Sequence, residues 1–534
     1  MIAPLTLCHM ENPETERAYR PTIIDVICVT FLIAYFLHFA LPALRGGFRE
    51  DEMLNMWIYW QAGVVKSLLA NIRFWTTFYR PAGALYYLPL YHFFRLDPLP
   101  YRIVQITILA ALIPIAYHLA RVLAHSRSVA FLAVLALCYH PVLANLVFVG
   151  AFIYDVLCGF FYLAALTYYV HLREQDICLR PVQLLIFLLL YVLALDSKEM
   201  AVTLPAIVLT YEFLKAPRWV GWKALRRWSW RYATPSLIAG ALTAIYLYGK
   251  LYGTASLTRL DPYRPRYSWD QFLVSNSRFI ADLFFAQNAI TPGTLLMLWA
   301  AVCIYGVLRR DRTVQLMAFW VIIVPLPLAF LLPIRGGGSL YLLLFGWAMI
   351  FAKVAYDLAV LVSKALGQWI GLDSSTKATN GSHGGNATRR VPVKGTLGVA
   401  VGKIPVSVIR IAVIAALAFS FAIFTEWENR RLGTARALLG VGQNVKHVIG
   451  ALESLNLRPA PGSTVLLDVQ EQPFQNKWHP LFIASLIWND HSLQIWITGL
   501  TKVTPEELAK ADYLISLTEF QAQVIRSPTA HHSE

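Results

Sequence analysis

Long apolar segments separated by short charged loops limit what this chain can fold into more than any other feature. A helix needs about 20 mostly apolar residues to cross the hydrocarbon core of a membrane. The chain is 57% hydrophobic and 14% charged, whereas soluble domains carry about 25% charged residues. The suitable segments are 22–42, 103–122, 128–146, 152–171, 183–197, 200–215, 233–252, 292–308, 314–333, 339–362 and 405–424. The sequence therefore predicts an all-α polytopic membrane protein with about eleven transmembrane helices.

The positive charge of the chain, +15 overall, collects in loops between these apolar segments. The two most basic loops hold Lys215, Arg218, Lys223, Arg226, Arg227 and Arg231, and then Arg309, Arg310 and Arg312. Cytoplasmic loops of membrane proteins carry such an excess of lysine and arginine. The distribution indicates a lipid bilayer as a partner of the chain and excludes nucleic acid.

The positive charges of these loops also predict how the chain is oriented in the membrane. The prediction depends on whether the apolar segment 81–95 crosses. This segment has about 15 residues, or about 22 Å as a helix, and could be a short span, a re-entrant segment or a surface-lying helix. A complete crossing would move the basic loops to the outside, against the charge rule. We therefore predict that 81–95 does not cross, that residues 1–21 are cytoplasmic and that the first loop, 43–80, lies outside.

Three segments follow the predicted transmembrane domain, which covers residues 22–362. Residues 363–403 are rich in Gly, Ser, Thr and Asn, which is typical of a flexible linker. A last transmembrane helix is predicted at 404–424. Residues 425–534 are predicted to form a small outward-facing soluble α/β domain.

The linker and the last domain carry local signals of their own. The Asn-x-Ser/Thr sequences at Asn380 and Asn386 are chance matches if the linker is cytoplasmic. In the α/β domain, 463–468 and 513–517 are predicted strands and 505–511 is a predicted helix. The six cysteines show no metal-ligand spacing, so we predict free thiols.

Polar residues from five parts of the chain are predicted to share the outer face of the membrane. They are Glu50, Asp51 and Glu52; Tyr79 and Arg80; His140 and Asp155; Asp196, Ser197, Lys198 and Glu199; and Arg335. Charge near lipid is costly, so such groups often mark a functional site. Each also has a plainer interpretation, as a solvated helix end, a local Lys–Glu pair or an interfacial histidine. Their joint occurrence favours function.

This set of side chains suits the transfer of a sugar from a lipid phosphate to a hydroxyl group. The reaction needs a carboxylate that takes the proton of the acceptor. It also needs cations that hold the departing phosphate. Asp51 is the candidate base, and Arg80, Lys198 and Arg335 are the candidate phosphate partners.

Several blocks of the chain resemble one known family when they are taken in order. They are Asp51-Glu52 in the first outer loop, FYRP at 78–81, His140-Pro141 followed by Asp155, and Ser197-Lys198-Glu199 followed by Leu204-Pro205. Together these blocks resemble the multispanning GT-C glycosyltransferases that use polyprenyl-phosphate sugars. The protein O-mannosyltransferase-like branch, including its tetratricopeptide-repeat members, is the most similar. The blocks cover about residues 22–215, and the similarity of 233–424 is mainly one of hydropathy.

The resemblance implies a GT-C-like fold and an inverting, mannosyltransferase-like enzyme of the bacterial inner membrane that acts on its periplasmic face. Its donor would be a polyprenyl-phosphate sugar and its acceptor a hydroxyl of a protein or glycan. Asp51 and Glu52 would be catalytic, with Asp51 as the general base. Donor phosphate would bind Arg80, Lys198 and Arg335, and the pocket would include His140, Asp155 and Glu199. The sequence requires no metal, although an Asp51/Asp155 pair could hold a divalent cation.

Two other classes of protein fit part of the pattern. A lipid-linked-sugar flippase or other transporter would use the acids to line a pathway, and it should show inverted repeats and polar breaks near the bilayer midplane. The polar groups here are predicted at span ends instead. An inactive scaffold would depend on its outer domain rather than on the acids.

Overall fold

The computed structural model describes residues 21–175, 179–216, 221–252, 264–287, 289–369, 406–470, 473–501 and 510–528. Most of the predicted linker, with Asn380 and Asn386, lies outside the described residues. The same is true of most of the predicted helix at 505–511. The N-terminal residues 1–20 are also outside them.

Helices account for most of the described chain. The first of them are α1 (Ile23–Ala40), α2 (Glu50–Ala62), α3 (Val64–Ile72), α4 (Gly83–Phe94), α5 (Pro98–Ala124), α6 (Arg127–Cys138), α7 (Asn145–Phe148), α8 (Ile153–Glu174) and α9 (Pro181–Ser197). They are followed by α10 (Leu204–Lys215), α11 (Trp222–Trp228), α12 (Thr234–Tyr252), α13 (Trp269–Leu283), α14 (Pro292–Leu308), α15 (Arg312–Ile323), α16 (Leu326–Ala329), α17 (Tyr341–Trp369) and α18 (Val406–Leu432). The last are α19 (Thr434–Gly440), α20 (Gln443–Ser454) and α21 (His479–Trp488).

Six helical segments of the described chain are long and apolar enough to cross a membrane. They are Ile23–Arg45, Pro98–Ala124, Gly150–Glu174, Arg312–Ala329, Gly337–Leu366 and Val406–Leu432. The bent pair Arg127–Cys138 and Pro141–Phe148, with an angle of 47°, makes a seventh if it is one broken span. The chain is thus a multi-pass membrane protein, but eleven spans are not confirmed. The other predicted segments are helical, yet they are shorter or less apolar than a span requires.

Buried acids tie the first helix to the others at the end predicted to face the cytoplasm. Asp25 closes the first turn of α1 in a capping box with Thr22. Its carboxylate also accepts from Arg121 Nη1 at 2.7 Å and from Arg127 Nε at 3.2 Å. These bonds join α1 to the end of α5 and the start of α6. Helices α5, α8 and α9 pack side by side, and α17 packs against α6.

The last domain contains a four-stranded sheet in the order β2-β1-β3-β4. Its strands are β1 (Thr464–Val469), β2 (Gln494–Ile497), β3 (Tyr513–Leu517) and β4 (Ala522–Arg526). β1 lies parallel to β2 and β3, whereas β4 is antiparallel to β3. The sequence predicted β1 and β3, which are buried apolar runs. It missed β2 and β4, because these edge strands are short and partly exposed.

This domain rests on the first loop of the chain. Trp60 donates to Asn489 Oδ1 at 2.8 Å and stacks on His491 at 4.0 Å. Tyr91 of α4 donates to the backbone carbonyl of Leu486 at 2.5 Å. The first loop and the last domain therefore lie on the same side of the membrane. Helix α4 has 12 residues, about 18 Å, too short to cross a core of about 30 Å.

A buried ion pair fixes the start of α2 against α5. Arg102 Nη2 donates to Glu52 Oε2 at 3.0 Å, and both side chains are buried. The same carboxylate accepts the backbone N–H of Arg49, while Arg102 also donates to the carbonyl of Gly47. A Cβ at position 150 would lie 1.8 Å from Glu52 Oε1, so the pair requires glycine there.

Replacing Arg102 by methionine should destabilise the protein by about 3–5 kcal/mol, because it leaves the Glu52 carboxylate buried without a cation. Thermal unfolding of the purified protein in detergent measures this loss. The double variant Glu52→Gln/Arg102→Met should recover most of the stability, since neither charge remains. A single variant as stable as the wild type would contradict a structural role for the pair.

Candidate functional site

Lys198 lies at the centre of a buried contact between three remote segments. Its Nζ is 2.5 Å from Asp155 Oδ1 and 2.9 Å from Ser339 Oγ. Asp155 stands in the first turn of α8, where the positive end of the helix dipole favours a carboxylate. Lys198 directly follows α9, and Ser339 belongs to the 3₁₀ turn Gly337–Leu340 before α17. Three helix ends thus converge on one ammonium group.

Arg80 forms a second ion pair beside the first. Its Nη2 donates to Glu199 Oε2 at 3.2 Å. The guanidinium lies over the rings of Tyr79 and Tyr154, at 4.8 and 5.0 Å from their centroids. Such cation–π contacts orient the planar guanidinium as well as hold it. The backbone of Arg80 has φ 43, a left-handed conformation that is uncommon outside glycine.

The hydroxyl of Tyr59 secures the Arg80 backbone. It donates to the carbonyl of Arg80 at 2.9 Å and lies 2.9 Å from the hydroxyl of Tyr154. Tyr59 is on α2, so this contact joins the first loop to the start of α8. A side chain at position 83 would collide with both tyrosines, which explains Gly83.

The two ions of the Arg80–Glu199 pair stabilise each other's charge. Burial lowers the pKa of Arg80, but Glu199, Tyr79, Asp155 and Tyr154 together more than offset this, and the pKa ends well above its usual value. Burial raises the pKa of Glu199, yet Arg80 and hydrogen bonding leave that pKa below its usual value. Both groups are therefore charged at neutral pH.

The structure brings together four of the predicted site residues, Arg80, Asp155, Lys198 and Glu199. The charge of Asp155 interacts with that of Arg80, and the charge of Lys198 interacts with that of Glu199. The side chain of Glu199 is 38% exposed, while that of Arg80 is 14% exposed. These four residues, called the polar cluster below, are thus enclosed on most sides and open next to Glu199.

Sequence reasoning gave no role in this site to Asp196 or Lys250. Asp196 is 0% exposed, and among the described residues neither of its carboxyl oxygens has a hydrogen-bond partner. Lys250 of α12 donates to the carbonyl of Phe78 at 2.6 Å, and its charge interacts with those of Asp196 and Glu199. A lysine at the end of the apolar segment 233–252 was the available signal for Lys250.

The two predicted catalytic residues, Asp51 and Glu52, lie outside the polar cluster. Asp51 is exposed in the first turn of α2. Eight residues, or about 12 Å of helix axis, separate it from Tyr59, where α2 meets Tyr154. Glu52 is buried in its pair with Arg102. The helix therefore directs one acid to solvent and the other to the interior.

His140 makes its contacts outside the polar cluster. The ring of His140 stacks on Phe285 at 4.8 Å, and its Nε2 is 3.0 Å from the carbonyl oxygen of Leu283. Arg335 is half-buried in the loop that leads to Ser339. Asn145 anchors this loop, because its Oδ1 accepts the N–H of Gly338 at 2.7 Å.

The proposed pair of cation ligands, Asp51 and Asp155, is not assembled as a metal centre in the described parts of the chain. There, no three His, Cys, Asp or Glu side chains group closely enough to hold a metal ion. Asp155 is instead bonded to Lys198.

Comparisons with solved structures find similarities to this chain. No family model matches the chain, and no curated protein matches it in sequence. The fold is similar to the crystal structure of the apo oligosaccharyltransferase from Archaeoglobus fulgidus, with a TM-score of 0.46 and 11% identity. That match covers 92% of this chain and 69% of the other. Such values carry no information on substrate, so the chemistry has to follow from the residues of this chain.

Replacing Lys198 by methionine should lower the free energy of unfolding by roughly 3 kcal/mol, because Asp155 then remains buried without a cation. Thermal unfolding in detergent is the measurement. Adding Asp155→Asn to the same variant should restore stability, since the uncompensated charge is gone. Equal stability of the single and double variants would show that the pair does not form.

Proposed function

We propose that this protein is a membrane glycosyltransferase of the GT-C type that moves a sugar from a lipid phosphate to a hydroxyl acceptor. The observation that supports this most is the pair of enclosed cations, Arg80 and Lys198, at helix ends beside the membrane. A lipid phosphate reaches protein from the bilayer, so its binding groups must lie at that boundary. The family resemblance points to the same chemistry.

Arg80 and Lys198 would hold the phosphate. The guanidinium presents a planar fork that matches two phosphate oxygens, and the ammonium adds a point charge. Asp155 and Glu199 hold the two cations in place until the donor arrives. In a site with little water, these contacts strengthen as negative charge develops on the leaving phosphate.

Asp51 is the proposed base that takes the proton of the acceptor. It is exposed, so an acceptor can reach it, and it has no part in the ion pairs of the polar cluster. Glu199 is the competing carboxylate, because it is also accessible but is paired with Arg80. Since Asp51 lies beyond the polar cluster along α2, the donor sugar has to occupy the space between α2 and Arg80.

The finer features of the proposal follow the resemblance. The donor would be a polyprenyl-phosphate sugar, with mannose the first to test, and direct displacement at the anomeric carbon would invert its configuration. The polar cluster and the last domain would face the periplasm from the bacterial inner membrane. Arg335 would approach the phosphate from the loop before Ser339.

Replacing Asp51 by asparagine should lower sugar transfer by about 10²–10⁴-fold, the usual contribution of a general base. Purified protein in liposomes is supplied with a panel of polyprenyl-phosphate sugars, and release of polyprenyl phosphate is followed. Asp270→Asn, which changes an exposed acid on α13, is the matched control and should be silent. Full transfer by Asp51→Asn would show that Asp51 is not the base. Movement of labelled lipid between leaflets without cleavage would identify a transporter instead.

Replacing Arg80 by glutamine should weaken binding of polyprenyl phosphate by roughly ten- to a hundredfold, because a charge-assisted hydrogen bond to phosphate is lost. Binding is measured with the sugar-free lipid, so that chemistry does not contribute. Arg278→Gln, at an arginine that faces Asp282 at 3.7 Å on α13, should leave the affinity unchanged. Equal losses in both variants would point to a general charge effect instead of a phosphate site.

A further inference from the structure

A face made only of tryptophans and cations lies at the end of the molecule remote from the polar cluster. Helix α11 runs directly into the turn Ser229–Ala233, which leads to α12. Between Trp222 and Tyr232 every exposed residue is a tryptophan, a lysine or an arginine, and the residues between them are half-buried. The exposed residues, called the basic face below, are Trp222, Lys223, Arg226, Arg227, Trp230 and Arg231.

A contact of Tyr232 places the basic face at the end of a spanning helix. The guanidinium of Arg173 lies 4.6 Å from the centroid of the Tyr232 ring. Arg173 stands in the last turn of α8, about 27 Å of helix axis from Asp155 in the first turn. Because α8 is long and apolar enough to cross the membrane, its last turn lies at the level of the lipid headgroups. The basic face is therefore on the membrane surface opposite to the polar cluster.

The cations that neighbour the basic face are neutralised by acids of the chain. Arg173 Nε donates to Glu212 Oε1 at 2.7 Å, and both side chains are buried. Lys215, at the end of α10, lies with its Nζ 3.1 Å from Glu174 Oε1. The acids at the ends of α8 and α10 are thus already engaged with cations outside the basic face.

The cations of the basic face lack such partners. Lys223, Arg226 and Arg227 form no ion pair with any described residue. The chain has no acid between positions 213 and 260, so no sequence neighbour can neutralise them. Lys223 and Arg227 are four residues apart on α11, and like charges at this spacing destabilise a helix. An anion that the chain does not supply would relieve this repulsion.

The tryptophans favour a lipid over a dissolved anion as the source of that charge. Trp222 and Trp230 are 73% and 78% exposed. Tryptophan is enriched at the depth of the headgroups, where its ring is in an apolar environment and its N–H stays near water. Anionic headgroups attract lysine and arginine near the membrane surface. Cations and tryptophans on one face therefore match an anionic phospholipid.

We propose that the basic face binds the headgroups of anionic phospholipids in preference to zwitterionic ones. Phosphate oxygens of the headgroups accept hydrogen bonds from Lys223, Arg226 and Arg227, while the rings of Trp222 and Trp230 lie among the headgroups. The lipid supplies the negative charge that the chain does not place there. The basic face shares no residue with the polar cluster, so this proposal is independent of the glycosyltransferase proposal.

The test uses the full chain in phosphatidylcholine nanodiscs that contain a minor fraction of a lipid with brominated chains. The brominated lipid is phosphatidylglycerol in one sample and phosphatidylcholine in the other. Bromine quenches tryptophan on contact, and the variant Trp222→Phe/Trp230→Phe gives the background from the other tryptophans. We expect phosphatidylglycerol to bind at the face at least about fivefold more strongly, the factor that a single lysine or arginine near the surface contributes.

The variant Lys223→Gln/Arg226→Gln/Arg227→Gln should abolish this preference and leave quenching by phosphatidylcholine unchanged. All three side chains are exposed, so their replacement does not disturb packing. A second measurement needs no variant, because salt screens exposed charges. Raising the salt concentration should therefore weaken the preference of the wild type.

The matched control removes three cations from the other basic loop, as Arg309→Gln/Arg310→Gln/Arg312→Gln. Arg309 already bonds Asp357 at 3.0 Å, so the lipid preference should persist in this variant. Equal quenching by the two lipids in the wild type would overturn the proposal. An equal loss of preference in both triple variants would also overturn it, since it would reflect only the total charge of the chain. Absence of quenching by either lipid would turn the face away from the bilayer, as expected for the docking site of an acidic protein, and would overturn it too.

Discussion

The cost of placing charge next to the hydrocarbon core governs how this protein is assembled. Its buried ions are matched by opposite charges from distant segments, as in the pairs Glu52–Arg102, Asp155–Lys198 and Asp25–Arg121. A buried pair adds little net stability over a well-packed apolar contact, but breaking one is expensive. Such pairs therefore favour the arrangement of helices in which these ions meet. Helix order, the position of the first loop and the polar cluster all depend on this matching.

The polar cluster combines this structural rule with a capacity for chemistry. Arg80 and Lys198 are each held by a carboxylate, and Glu199 remains accessible beside Arg80. By contrast, the Glu52–Arg102 pair is closed on all sides, with Gly150 packed against the carboxylate. Two pairs of the same chemical type thus serve different ends, and accessibility is what separates them. The last domain is docked on α2 through Trp60 and on α4 through Tyr91.

The wall of the membrane domain also contains an apolar cavity of about 330 Å³, between α6, α17 and α18. Several buried polar atoms in the described helices have no hydrogen-bond partner, His140 Nδ1 and Trp347 Nε1 among them. The loop Gly337–Leu340 connects the polar cluster with this cavity. Ser339 contacts Lys198, and the chain then enters α17, which lines the cavity.

The sequence by itself determined the membrane class, the helical segments, the strands β1 and β3, and the residue types of the polar cluster. Hydropathy and charge are local properties, so they can be read without knowing the fold. Only the tertiary structure decided which acids are used. Asp51 and Glu52 are adjacent in sequence, but helical geometry turns one to solvent and the other into a buried pair. Lys250 lies beside Glu199, and Trp347 lines the apolar cavity, because helices far apart in the chain pack together. No local sequence pattern encodes that proximity.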